Sequence, residues 1–255
     1  LRLIREIHAE LLDGGRGSTA TPGDFRKTQN WIGPQGATLS TATFVPPSVP
    51  EMNNALDAFE KFLHQPQELP TLIEVGLAHA QFETIHPFLD GNGRVGRLLV
   101  TLLLVERGVL ARPLLYLSHY FKLHRLEYYD RLMAVRLEGD WEGWIKFFLE
   151  GVSTTAQEAT LTAKRIFELR ERHRQMILDQ NMGQHALTLL SDLFRRPIID
   201  VKRAAEIMGT SFATANGVVA KMETIGILRE TTGQKRFRKY RYEPYFELFE
   251  DGGED

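Results

Sequence analysis

Apolar residues at three- and four-residue spacing fill most of this chain, and that period commits it to helices before anything else is considered. Leu1, Ile4, Ile7, Leu11 and Leu12 begin the pattern, and Gly14, Gly15 and Gly17 end it. Helical patterns return over 50–64, 70–85 and 94–107, and again over 125–137, 141–152 and 153–178. Between 19 and 50 the chain is instead rich in Gly, Pro, Thr and Ser. Short β-branched or aromatic pieces stand there at Trp31-Ile32 and at Thr43-Phe44-Val45, before Pro46-Pro47. This reads as a long loop holding a small hairpin, and loops of that length are as a rule either functional or disordered.

After Asn181-Met182-Gly183 the pattern changes to short helical units at 185–194, 201–208 and 212–225, followed by a basic, alternating stretch from Leu228 to Tyr242. The expected division is a helical domain over 1–183 and a small domain over 184–255. The fold class is therefore mainly α with a minor β component. Composition excludes several chemistries. The 255 residues contain no cysteine, which removes disulfide scaffolds, zinc ribbons, iron–sulfur sites and thiol nucleophiles. With 31 basic and 33 acidic side chains, the net charge of −2 makes no whole-chain case for nucleic acid or membrane. The longest apolar run, Leu98 to Val105 broken by Thr101, is far short of the roughly 20 residues that span a bilayer. No membrane association and a cytoplasmic location are the expectations.

One dozen residues concentrate the chemistry: His86-Pro87-Phe88-Leu89-Asp90-Gly91-Asn92-Gly93-Arg94-Val95-Gly96-Arg97. Asp-Gly-Asn-Gly alone would be an ordinary turn. Here an imidazole precedes it, and two guanidinium groups at i and i+3 follow it on a helix. Gly91 and Gly93 let backbone N–H groups approach an anion, and the helix that begins there adds the positive end of its dipole. Arg94 and Arg97 can face one polyphosphate. Asp90 can hold a hard cation shared with phosphate oxygens, and His86 suits a general base. These groups describe transfer of a phosphate-containing group from a nucleotide to an alcohol. His79 and His86 share a helical face with Glu83 between them, but no third ligand stands at a usable spacing. His79 thus reads as a hydrogen-bonded core residue.

The dozen residues match, at every fixed position, the H-P-F-x-[D/E]-G-N-G-R-x-x-R signature of the Fic (filamentation induced by cAMP) family, which this chain resembles over about residues 1–150. Gly23-Asp24-Phe25-Arg26, Phe44-Val45-Pro46-Pro47, Pro113-Leu114-Leu115-Tyr116-Leu117-Ser118, Tyr128-Tyr129 and Gly139-Asp140-Trp141 extend the resemblance. It implies a Fic-type helical bundle with a β-hairpin flap and transfer of AMP from ATP to a protein Ser, Thr or Tyr hydroxyl, releasing pyrophosphate. Self-modification, transfer of another nucleotide and removal of AMP are its variants. His86 would deprotonate the hydroxyl, and Asp90 would hold Mg2+. Gly91, Asn92 and Gly93 would form an anion hole to which the Asn92 side chain adds a donor. Arg94 would contact the phosphates, Arg97 would pair with the γ-phosphate, and Phe88 would anchor the loop. Tyr128 and Tyr129 would border the adenine, and Thr43, Phe44 and Val45 would hold the target by strand addition. A homodimer is a further expectation. An inhibitory [S/T]-x-x-x-E-[G/N] helix has no good copy here, since Thr154 to Glu158 is followed by Ala159. Because the chain begins with Leu1, that helix is expected upstream, with the longer form less active.

The second region has the cadence of a helix-turn-helix, with Gly209 ending one helix and Thr210-Ser211 starting the next. With the alternating stretch behind it, it resembles a winged helix. Basic residues outnumber acidic ones between Arg195 and Arg241, and Arg236, Arg238, Lys239 and Arg241 suit phosphate contacts from a wing, ahead of an acidic tail at 247–255. DNA binding and protein docking stand as equal readings, and a nucleotide-sensing, DNA-binding regulator is the rival to an enzyme.

Overall fold

The computed structural model describes residues 1–14, 21–66, 68–112 and 116–250, arranged in two units, 1–157 and 158–255. Gly15, Gly17, the Pro113-Leu114-Leu115 match and the end of the acidic tail lie outside the described residues.

In the first unit, α1 (Arg2–Leu12) precedes the loop region, and α2 (Val49–His64) opens at a capping box in which Ser48 N–H donates to Glu51 Oε2 at 2.9 Å. Next come α3 (Thr71–Ile85), α4 (Asn92–Glu106), α5 (Leu117–Leu123), α6 (Arg125–Glu138) and the first part of α7 (Trp141–Asp179). Helix α3 buries residues on every face, among them Val75, His79, Phe82 and Glu83, because α2, α4 and α6 all pack on it. Two apolar clusters flank it. One joins Ile4, Met52, Phe59, Phe82 and Phe88, and the other joins Val100, Phe121, Tyr128, Leu132 and Trp144. The ends of α3 and α4 that face each other across 86–91 are thereby fixed from both sides.

The sequence pattern breaks α7 into two helices, near Val152 and Ser153, whereas the structure runs it unbroken from Trp141 to Asp179. Gly151, beside that point, does not end the helix. A Cβ there would stand 2.6 and 2.7 Å from ring carbons of Tyr120 on α5, a ring itself packed on Phe121, His124 and Phe147. The glycine admits the ring. Gly151→Ala is therefore expected to destabilise the first unit by about 1–2 kcal/mol, overpacking outweighing the better helix propensity of alanine. A melting temperature equal to or above wild type would refute this.

The second unit contains the end of α7, then α8 (Gly183–Leu193), β1 (Ile198–Asp200), α9 (Val201–Met208), α10 (Phe212–Thr224), β2 (Arg229–Glu230), β3 (Lys239–Arg241) and α11 (Glu243–Glu250). The division between units falls inside α7, before the change of pattern at Gly183, because Leu169 and Ile177 belong to the second core and His173 Nδ1 lies 2.7 Å from Tyr242 Oη. Asp200 caps α9 through Arg203 N–H at 2.8 Å, and Ser211 caps α10 through Thr214 N–H at 3.2 Å. The antiparallel sheet has the order β1-β3-β2, with Tyr240 opposite both Ile199 and Glu230. The short elements α5, β1 and α11 were not expected from the pattern; α11 takes in the start of the segment read as an acidic tail. Among the described residues, no helix is long and apolar enough to cross a membrane.

Candidate active site

The loop 86–91 joins α3 to α4, and its first residue is its most constrained. His86 follows the last turn of α3 in the left-handed conformation, φ 49° and ψ 59°, uncommon for a residue with a Cβ. Its neighbours hold it there. Arg26 Nε donates to His86 O at 3.1 Å, Asn30 Nδ2 donates to the same oxygen at 3.3 Å, and Arg26 N–H donates to Pro87 O at 2.8 Å. On the ring side, His86 Nδ1 lies 3.3 Å from Glu83 O. A carbonyl only accepts, so Nδ1 carries the proton and Nε2 keeps its lone pair. Burial lowers the His86 pKa to about 4, with the charges of Arg136 and Arg26 acting in the same direction. The ring is neutral at pH 7, as a general base requires.

Phe88 is fully buried, stacked on His8 of α1 with centroids 3.7 Å apart and planes 6° off parallel. His8 accepts Gly23 N–H on Nδ1 at 2.8 Å and donates from Nε2 to Asp90 O at 2.9 Å, so one neutral tautomer ties α1, the Gly23 turn and the loop together. Asn92 contributes differently from the sequence expectation. Its Oδ1 accepts Phe88 N–H and its Nδ2 donates to Phe88 O, both at 2.8 Å, so the amide clamps the loop instead of being held out as an anion donor.

Helix α4 starts at Asn92 behind Gly91, which adopts φ +86° and has no side chain to cap the helix. A Cβ at Gly91 would stand 3.3 Å from the His8 ring, so glycine is needed there for both conformation and space. Gly91 gives α4 no side-chain cap, and a helix start of that kind favours an anion. Arg94 reaches back to Asp90 at 3.6 Å. The Arg97 guanidinium folds over Gly93, with NH1 3.1 Å from where a Cβ on that residue would be. Asp90 Oδ1 also accepts Gly91 N–H at 2.6 Å. Among the described residues no group of three or more His, Asp or Glu could hold a metal by itself. A cation at Asp90 would therefore need phosphate and water oxygens for its remaining positions, a donor set that suits Mg2+.

The Thr43-Phe44-Val45 segment pairs through one antiparallel bridge: Ile32 N–H to Phe44 O at 2.8 Å and Phe44 N–H to Ile32 O at 3.1 Å. Alternation turns the backbone groups of Thr43 and Val45 the other way, and both side chains are exposed. Tyr128 lies in the core, its hydroxyl 2.9 Å from His79 Nε2, while His79 Nδ1 donates to Gly96 O at 3.0 Å. Tyr129 is 48% exposed, which leaves it as the aromatic that a base could reach.

Sequence reasoning weighed Glu83 only as part of a metal cluster and missed His8, Asn30 and Arg136 as contributors to this region. Glu83 is buried beneath it, Oε1 has no hydrogen-bond partner, and burial raises its pKa to about 7 against the pull of Arg97 and Arg136. For His8 a signal existed, because it continues the Ile4–Leu12 apolar stripe of α1. Arg26 was visible only as part of a resemblance.

Known proteins share parts of this chain's sequence and fold. Residues 1–104 match the model of the Fic/DOC family. The protein adenylyltransferase Fic of Culex quinquefasciatus is 31% identical over 157 residues, 61% of this chain and 28% of that protein. The adenylyltransferase Fic of Aedes aegypti gives the same identity and coverage. The chain thus spans under a third of the length of these relatives. A Fic family protein from Desulfovibrio desulfuricans G20 has a similar fold at 19% identity, with a TM-score of 0.57 over 94% of this chain and 67% of that one. The family match at residues 1–104 contains the whole loop from His86 to Arg97, so this part of the chain is similar to the Fic/DOC family.

Proposed function

We propose that this protein is an adenylyltransferase that moves AMP from ATP to a Ser, Thr or Tyr hydroxyl of a protein. The observation that carries the reading is the fixed tautomer of His86, whose Nε2 keeps its lone pair in the loop that leads into the uncapped start of α4. The hydroxyl oxygen attacks the α-phosphorus and its proton passes to His86 Nε2. The bond to the β-phosphate breaks, and pyrophosphate leaves. The N–H groups of Asn92 and Gly93, with Arg94 and Arg97, would hold the phosphates, while Asp90, whose Oδ1 accepts the Gly91 N–H, would hold Mg2+, which supplies charge neutralisation when bound. Tyr129 would stack on the base, and the target would add as a strand beside Thr43 and Val45. The test is incubation with Mg2+ and ATP labelled at the α- or the γ-phosphate, alone and with a cell lysate. Protein is expected to gain label from the α-position only, with a mass increase of one AMP. Label from the γ-position, or none from either, would defeat the reading.

A second reading concerns the other unit. We infer that α8 to β3 form a winged helix that binds nucleic acid. A groove of about 840 Å³ is lined by Lys202, Lys235, Arg236, Arg238 and Lys239, with the exposed rings of Phe212 and Phe237 beside them. The acidic residue of the lining, Asp200, is occupied in capping α9. This charge favours a polyanion over a protein surface. Binding of duplex DNA should weaken steeply between 50 and 200 mM salt, roughly as expected for several phosphate contacts, and a salt-independent or absent signal would reject it.

A further inference from the structure

We infer that Arg136 couples the strand at Phe44 to His86, so that one guanidinium links the segment proposed to hold the target to the orientation and basicity of the proposed base. The inference rests on the functional reading only for the role given to His86. Arg136, on α6, reaches between three pieces of the site. Its NH2 donates to Glu83 O at 2.9 Å, and that same carbonyl accepts the Nδ1 proton of His86 at 3.3 Å. Its Nε donates to Thr84 Oγ1 at 3.3 Å, a hydroxyl fixed in turn by Ala80 O at 2.8 Å. Its Cζ sits 4.1 Å above the ring centroid of Phe44, and Phe44 is the residue through which the strand pairs with Ile32.

The shared carbonyl is the centre of the coupling. An oxygen with two lone pairs can serve both donors, but a charged donor withdraws electron density, which weakens its hold on the imidazole N–H. The positive charge itself also opposes protonation of the ring. The charged groups that act on His86 are Arg136 from α6, Arg26 from the segment after Gly23, and Asp90 from the loop. The two arginines lower its basicity and the aspartate raises it. Of the two arginines, Arg26 is committed to backbone carbonyls, whereas Arg136 has an aromatic ring on its face. Displacing Phe44 exposes that guanidinium to water, screens its charge and loosens its hold on Glu83 O.

Two readouts on the full chain test this without any transfer assay: amide hydrogen exchange at Ile32 and Phe44, and an NMR titration of the His86 ring. Arg136→Gln is expected to speed exchange at both amides by about tenfold, in the range of local opening, and to raise the His86 midpoint towards its ordinary value. Phe44→Ala, which leaves the guanidinium in place, is expected to raise the same midpoint. Arg136→Lys should loosen the strand as Arg136→Gln does but leave the midpoint lower, since the charge remains. The coupling is wrong if Arg136→Gln moves only one of the two readouts, or if Phe44→Ala leaves the His86 midpoint at the wild-type value. Should Arg136→Gln fail to fold, the Phe44→Ala and Arg136→Lys results decide. A wild type that transfers no AMP would sink the functional reading and leave these outcomes interpretable.

Discussion

His86→Ala should lower transfer of the α-labelled nucleotide by about 10²–10⁴-fold, the range that a positioned general base supplies. Binding of a non-hydrolysable ATP analogue should stay close to wild type, because the imidazole lies outside the proposed phosphate contacts. The pH dependence separates this histidine from an ordinary one. The active form is the neutral ring, and in the folded protein burial with the arginine charges moves its pKa down to about 4. The base is thus present above about pH 4, so kcat/KM should be flat down to about pH 5 and fall only below that. A free histidine would give an acid limb near 6.5. Folding stability follows the same sign. A buried ring that binds its proton below its unfolded value stabilises the neutral-pH protein, and that contribution is lost as pH falls from about 6.5 through about 4. An acid limb near 6.5, or an alanine variant within tenfold of wild type, would remove His86 from the role of base.

Arg26→Ala is the second large effect, and it should appear in both stability and activity. Arg26 is 1% exposed, and its guanidinium donates to His86 O, Thr28 O and Pro47 O, three carbonyls and no carboxylate. Removing it leaves those oxygens with fewer donors in a closed environment and opens a cavity beside the loop. The expected cost is on the order of 3 kcal/mol, partly offset because a buried charge no longer has to be desolvated. The strained backbone of His86 loses one of its two side-chain donors, leaving Asn30, so transfer should fall even where the protein remains folded. Comparing initial rates with denaturant midpoints would decide. A variant that loses stability but keeps the wild-type rate per folded molecule would show that Arg26 supports the fold alone.

The loop from His86 to Arg97 was legible in the sequence because its groups lie within twelve consecutive positions, and the helices on either side came out within two residues of their ends. Period and punctuation are local properties, and here the local and tertiary preferences agree. What was not legible depended on distant partners. The 141–152 and 153–178 patterns read as two helices, whereas α7 is continuous and packs the Tyr120 ring against Gly151. Asn92 reads as an anion donor until Phe88 is seen to occupy its amide. Tyr128 and Tyr129 are adjacent in sequence, yet one packs on His79 and the other faces solvent. The short elements α5, β1 and α11 carry too few residues to show a period.

The contact between His8 and the loop, made across 82 positions of chain, also has a kinetic meaning. A loop of that length must close before Phe88 finds its stacking partner, and contacts of such sequence separation repay their entropy late in folding. The hairpin of α3 and α4 can form early from near neighbours, while the seat of Asp90 is completed only when α1 returns. The site is therefore inseparable from the first turns of the domain: the same twelve residues grafted between two other helices would keep their spelling and lose their shape.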